Sequence, residues 1–148
     1  MASKEDVLGS IVDRVASRFE AAAAAATEAP GDPDVVLGRL VRAHVRVATA
    51  DVGEAQVFIH EWRHLSEARR AAVLARRDAY EAIFRRVIAD GIATGSFTMT
   101  DPAIATTFLL TALNGIPTWY RTDGPLSPAE LADLYADLAV RSLTEASR

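Results

Sequence analysis

The sequence predicts an all-α fold: a single helical domain of about six helices, the last two of which make a four-helix-bundle dimer interface. Three observations lead there. Helix-start signals recur along the chain, at Ser3, Asp32-Pro33, Ser66, Asp101-Pro102 and Ser127-Pro128; each combines a side-chain acceptor for orphan N–H groups with first-turn residues suited to a helix. Apolar residues between these signals repeat at three- and four-residue spacing, and no window alternates as a half-buried strand would. Half of the 148 residues are hydrophobic and 24% are charged, with 8 Gly and 6 Pro, which suits one globular helical domain with a sizeable core.

The first helix opens at Ser3-Lys4-Glu5-Asp6, with Ser3 as cap and both acids where the helix dipole favours them. Val7, Ile11, Val15 and Phe19, joined by Leu8 and Val12, form its apolar face. Ala21 to Ala26 continue it, because alanine has the best helix propensity, and Pro30-Gly31 ends it. Residues 1–30 are thus one long helix. Asp32-Pro33 restarts the chain, with Val35, Val36, Leu40, Val41 and Val47 as the apolar set, while Arg39, Arg42, Arg46 and His44 read as a solvated face. A shorter segment runs from Gly53 to Leu65. Ser66 then caps a long helix reaching Thr94, with Tyr80, Ile83, Phe84, Val87, Ile88 and Ile92 inward and Gly95 as its stop.

Residues 101–148 hold the terminal helix pair. The first helix after Asp101-Pro102 is apolar nearly all round (Ile104, Phe108, Leu109, Leu110, Leu113, Ile116), more than one core can cover. Pro117 removes a donor and predicts a kink beside Gly115. The turn Arg121 to Pro125 folds the second helix back antiparallel on the first. That helix carries Leu131, Leu134, Tyr135, Leu138 and Ser142 on one side, with Ala132, Ala136 and Ala139 beside them as a surface another helix can approach closely. Two copies can bury such surfaces in each other, so Leu113, Leu131, Leu134, Tyr135 and Leu138 are the candidate dimer contacts.

Gly91-x-x-x-Gly95-x-Phe97, Asp101-Pro102, Leu113-Asn114-Gly115, Trp119-Tyr120 and Leu126-Ser-Pro-x-Glu-Leu-Ala-Asp133, in that order, resemble the C-terminal domain of tetracycline-repressor (TetR) family transcriptional regulators. The resemblance covers nearly the whole chain. It implies an effector-binding and dimerisation domain, 1–148, with the dimer made by the last two helices. Ser3 to Leu8 resembles the point just after the family's DNA-reading helix-turn-helix, so the resemblance carries over ligand binding and dimerisation, and reaches DNA only through helices that have no counterpart here. A formal charge of −4 gives no global field toward nucleic acid.

Two constellations compete for the middle of the chain. His60-Glu61-Trp62-Arg63-His64 is a literal His-Glu-x-x-His, which on a helix lets two imidazoles share a zinc while the glutamate acts as general base. The extended motif fails, since Glu67 and Arg70 stand where Gly and His are needed. A zinc hydrolase on His60, Glu61 and His64 is the enzymatic alternative. The other use is a pocket: Phe58, Trp62, Tyr80, Phe84, Phe108 and Trp119 lie on helices that the resembled family packs around a cavity, and Asn114 is an amide in an apolar helix that needs partners. Arg63 and Arg77, within an arginine-rich stretch, are candidate phosphate contacts, and the wording around His60 to Leu65 and Trp119 is similar to family members that answer to CoA thioesters and regulate lipid breakdown.

There is no cysteine, no Gly-rich phosphate loop and no nucleophile elbow. The acidic start lacks the form of a secretory signal, and no apolar run approaches the ~20 residues that span a bilayer. The expectation is therefore a cytoplasmic, non-enzymatic homodimer with no cofactor, no metal and no membrane partner, sensing a small hydrophobic effector. A ligand-free dimerisation module is the remaining alternative.

Overall fold

The computed structural model describes residues 1–144; the last four residues of the expected terminal pair, 145–148, lie outside the described residues. Among the described residues six α-helices follow in order: α1 (Lys4–Glu28), α2 (Pro33–Ala50), α3 (Val52–His60), α4 (Glu67–Ala93), α5 (Pro102–Trp119) and α6 (Pro128–Thr144), with a 3-10 turn at Trp62–His64. No strand occurs among the described residues.

The start signals act as caps. Ser3 and Asp6 exchange hydrogen bonds of 3.0 and 3.1 Å in a reciprocal capping box, and Ser127 and Glu130 repeat it at α6 with 3.1 and 3.2 Å. Asp101 Oδ1 accepts from the Ile104 amide at 3.1 Å to start α5. Asp32 departs from the pattern: its side chain makes no cap bond, and Pro33 at the first turn marks the start of α2. α4 stops at Gly95, whose φ of 81° is open to glycine at little cost. The chain then doubles back so that Phe97 lies on the helix, its amide bonded to the Gly91 carbonyl at 3.0 Å. A Cβ on Gly91 would stand 2.1 Å from the Phe97 ring, so the Gly-x-x-x-Gly-x-Phe spacing is one device: a bare helix surface, a left-handed stop and a ring that fills the space.

α2 is the central element, packed against each of the other five helices. Its most extensive contact is with α6, a helix expected to fold back on α5 instead. The reason lies in the small residues of α6. Ala132, Ala136 and Ala139, with Leu131 and Leu143, are buried on the side facing the core and let the α2 backbone come close. The alanine stripe expected to receive a partner copy is thus used within the chain. Leu113 and Leu131, expected at the dimer interface, are each only 2% exposed and belong to the core with Leu37, Leu40, Phe84 and Ile116. Leu134 and Leu138 point outward, Leu138 being 64% exposed.

α1 leans on α2, α3 and α4. Four arginines fasten it: Arg14 and Arg18 to Glu54 on α3 at 2.7 and 3.6 Å, and Arg69 and Arg76 of α4 to Asp6, Asp13 and Glu20 at 2.8, 2.6 and 2.7 Å. α5 runs on past Pro117 to Trp119, with the Gln56 amide donating to the Pro117 carbonyl at 2.6 Å.

Candidate functional site: an aromatic-walled cavity

Where α1, α3, α4 and α5 meet α2, the helices enclose a partly open cavity of about 360 Å3. Its wall is a staircase of rings. The Phe19 ring sits 4.6 Å from His44 and 5.7 Å from Phe58, and the Arg77 guanidinium lies over Phe58 at 4.5 Å and over Trp62 at 4.9 Å. Tyr80, Leu110, Thr111 and Asn114 line the α4 and α5 sides. Large rings at these facing positions border a gap, whereas the alanines of α6 bring that helix close to α2.

Three polar groups in this lining are short of partners. His44 is 3% exposed; its Nδ1 meets the Tyr80 hydroxyl at 2.7 Å, while its Nε2 is buried without a hydrogen bond. Burial pushes its pKa down to about 3, so the ring is neutral at ordinary pH, and burial likewise raises that of Tyr80. Arg77 donates to the Phe58 carbonyl, but its Nε is buried without a partner and no carboxylate among the described residues pairs with it. Burial and then the neighbouring Arg63 charge lower its pKa. The Asn114 side chain makes no hydrogen bond among the described residues. The acids in the lining are already engaged: Glu20 by Arg76 and Glu81 by Arg85, each at 2.7 Å.

Of the residues expected to line a pocket, Phe58, Trp62, Tyr80 and Asn114 do, and so does Arg77. Phe84 does not: it is wholly buried one turn beyond Tyr80, packed beneath it at 5.4 Å between ring centroids. Phe108 is 61% exposed on the outer face of α5, because it sits on the side away from α2 and α4. Trp119 is also on the outside, stacked on Tyr135 at 6.3 Å. Arg63 is exposed and outside the lining, acting on Arg77 only through its charge. His44, expected on a solvated face, is instead the most enclosed polar group of the site. The spacing Leu37, Val41, His44, Ala48 marks one inward stripe of α2, and the neighbouring arginines obscured it. Phe19 sits on the apolar face of α1 that the spacing predicts, but nothing in its sequence context assigns it to a cavity wall.

The His-Glu-x-x-His motif does not form the geometry that zinc hydrolysis needs. α3 ends at His60, Glu61 is its C-cap, and His64 lies in the 3-10 turn, so the two imidazoles do not share a helical face. His64 instead lies 3.5 Å from Glu61, both exposed.

Residues 30–143 match the family model for the tetracyclin repressor-like C-terminal domain. The chain belongs to this family. As a TetR-family domain it is similar to PfmR, a TetR family transcriptional regulator from Thermus thermophilus, at 32% identity and a TM-score of 0.87 over 94% of this chain and 76% of that one. It is also similar to a TetR-family regulatory protein from Rhodococcus, at 25% identity and a TM-score of 0.89 over 98% and 76% of the two chains. The fold is shared as well with AibR, solved with isovaleryl coenzyme A and operator DNA, at 22% identity and a TM-score of 0.80 over 95% and 75%. No curated protein matches the chain. Among the described residues of this TetR-family domain, no helix is long and apolar enough to cross a membrane.

Proposed function

We propose that this domain is the effector-sensing and dimerising part of a cytoplasmic TetR-type repressor, and that the cavity beside α4 holds the effector. The observation that carries the reading is the combination of a 360 Å3 hollow, a wall of aromatic rings and polar groups without protein partners. Small-molecule sites have this make-up, at the lower end of the usual size range. The volume suits a predominantly apolar molecule. It also suits the acyl part of a CoA thioester with the nucleotide left outside, near Arg77 and Arg63. AibR, with its isovaleryl coenzyme A, is a fold relative that takes such a compound, and regulation of lipid metabolism would follow from it. A ligand-free dimerisation module has no use for the hollow.

The dimer face is assigned to the outer sides of α5 and α6. Ile104, Phe108, Trp119, Leu134 and Leu138 are large, apolar and exposed there, with Tyr135 half-buried beneath Trp119; elsewhere, apart from Met1, only Val7, Val35 and Leu74 are comparable among the described residues. Covering five such side chains in each of two copies gains roughly 1.5–3 kcal/mol per fully buried side chain, before the cost of association. DNA contact is assigned to none of these 148 residues. Ligand in the cavity would act on operator binding through α1, which lines it with Ala16, Phe19 and Glu20 and is tied to α4 by Arg76. Such coupling requires the ligand to bind the DNA-competent and released states unequally. Thermal shift against CoA thioesters, fatty acids and planar aromatic compounds tests the sensing assignment. A class that raises the melting temperature in a saturable way supports it, and indifference to every apolar compound contradicts it.

A further inference from the structure

A shallow groove of about 620 Å3 runs along the α1–α2 pair and shares no lining residue with the aromatic cavity. Its lining includes Arg18, Arg39, Arg42 and Arg46 and no carboxylate, although acids outnumber bases 20 to 16 in the whole chain. Little in the fold neutralises this charge. Arg18 shares Glu54 with Arg14, at 3.6 Å against 2.7 Å, and Arg42 meets Asp133 at 2.9 Å in a solvent-screened pair. Arg39 donates to the Ala29 and Pro30 carbonyls at 2.7 and 3.4 Å, closing the α1–α2 connection, and meets no carboxylate. The Arg46 guanidinium is exposed and makes no hydrogen bond or ion pair among the described residues.

Between the arginines the floor is apolar and low. Ala22, Ala25 and Ala26 supply it from α1, and Ala43, Val47 and Ala50 from α2. Side chains this short let a third helix come close. We propose that the groove docks an amphipathic helix of a partner protein, with small apolar residues toward the floor and Asp or Glu at i, i+3 or i+4, and i+7 toward the α2 arginines. Charge and spacing both favour this occupant. Arg39, Arg42 and Arg46 climb α2 at i, i+3 and i+7, about 10 Å in all, and carboxylates on a second helix rise at the same rate. Each guanidinium offers a carboxylate two parallel hydrogen bonds. A small molecule would be left largely uncovered in so open a trough, whereas ligand pockets enclose most of their guest. A membrane-binding face would present Trp, Phe or Leu, and none lines this groove.

Fluorescence anisotropy on the full 148-residue chain tests the assignment with a labelled peptide of about 18 residues, long enough to form a helix. It carries alanine along one face and glutamate at i, i+4 and i+7 beside it. The controls are a scramble of the same composition, a version with lysine in place of glutamate, and phosphatidylglycerol vesicles. The patterned acidic peptide is expected to saturate at one per chain, the scramble to bind about tenfold more weakly, and the lysine version and the vesicles not to bind. Arg46→Glu, a change at an exposed position, should weaken the patterned peptide about tenfold. Arg86→Glu, exposed on α4 and outside the groove, should leave it within about twofold. Failure of the patterned peptide to bind, equal binding of the scramble, or indifference to Arg46→Glu overturns the proposal. So does vesicle binding that Arg46→Glu abolishes, which assigns the groove to a lipid surface, or loss of self-association in Arg46→Glu, which assigns it to a second copy.

Discussion

The two sides of α2 are built on opposite plans. Toward α6 the contact is closed: alanines 132, 136 and 139 let the backbones approach, and leucines 37, 40 and 131 fill what remains. Toward α1, α3 and α4 the contact is held open by Phe19, Phe58, Trp62 and Tyr80, and His44 stands in the opening. Ring size alone does not make a hollow, since Phe84 packs densely one turn from Tyr80. The hollow arises where rings from three helices converge on a half-polar stripe of the fourth. One face of a single helix thus anchors the terminal helix to which the dimer surface is assigned, and the other offers space to a ligand.

The largest expected effect concerns what the closed side presents outward. Leu138→Glu would place an unpaired charge in the assigned interface of both copies, costing several kcal/mol; sedimentation at micromolar concentration should show a wild-type dimer and a monomeric variant. A wild-type monomer would contradict the use assigned to α5 and α6. Next comes the seam itself. Ala136 is 1% exposed against α2, so Ala136→Leu should lower stability by about 1–3 kcal/mol through overpacking, read as a lower denaturation midpoint.

The open side answers to pH. The unfolded chain protonates His44 near its ordinary 6.5, whereas the folded chain refuses the proton down to about 3. The unfolded state therefore binds more protons between these values, and stability is expected to fall as pH drops below 6.5, by at most about 1.4 kcal/mol per pH unit. Glu5, Asp6, Glu20 and Glu54 have pKa values lowered mainly by hydrogen bonds to Ser66, Arg69, Arg76 and Arg14 respectively, so their contribution is lost only at more acidic pH. Urea denaturation at pH 7 and 5.5 should show the loss in the wild type and its absence in His44→Phe. The smallest effect sharpens the contrast with the seam: Ala16, also small and buried, borders the cavity, so Ala16→Leu should gain about 0.5 kcal/mol by filling space while weakening effector binding.

Much of the fold was legible because its signals are local. A capping box needs only Ser3 and Asp6, and the Gly91–Gly95–Phe97 device lies within one turn and a reversal. The site was legible in part. Tyr80 and Phe84 occupy equivalent places in one stripe, and only the spacing between helices decides that one lines a cavity while the other fills the core. The same limit explains the alanines of α6, whose smallness announced a close neighbour without saying whether it was α2 or a second copy. The zinc motif failed for a local reason that single-letter matching does not see: the helix ends inside it, at His60.

Trp62 lines the cavity and Trp119 lies on the opposite, outward face, and they are the only 2 tryptophans. In a Trp119→Phe variant, fluorescence therefore reports on the cavity alone. Titration with 3-phenylpropanoate or its CoA thioester is expected to change Trp62 emission to saturation at one ligand per chain. A silent Trp62, with the response confined to Trp119 in the wild type, would contradict an effector site inside the domain.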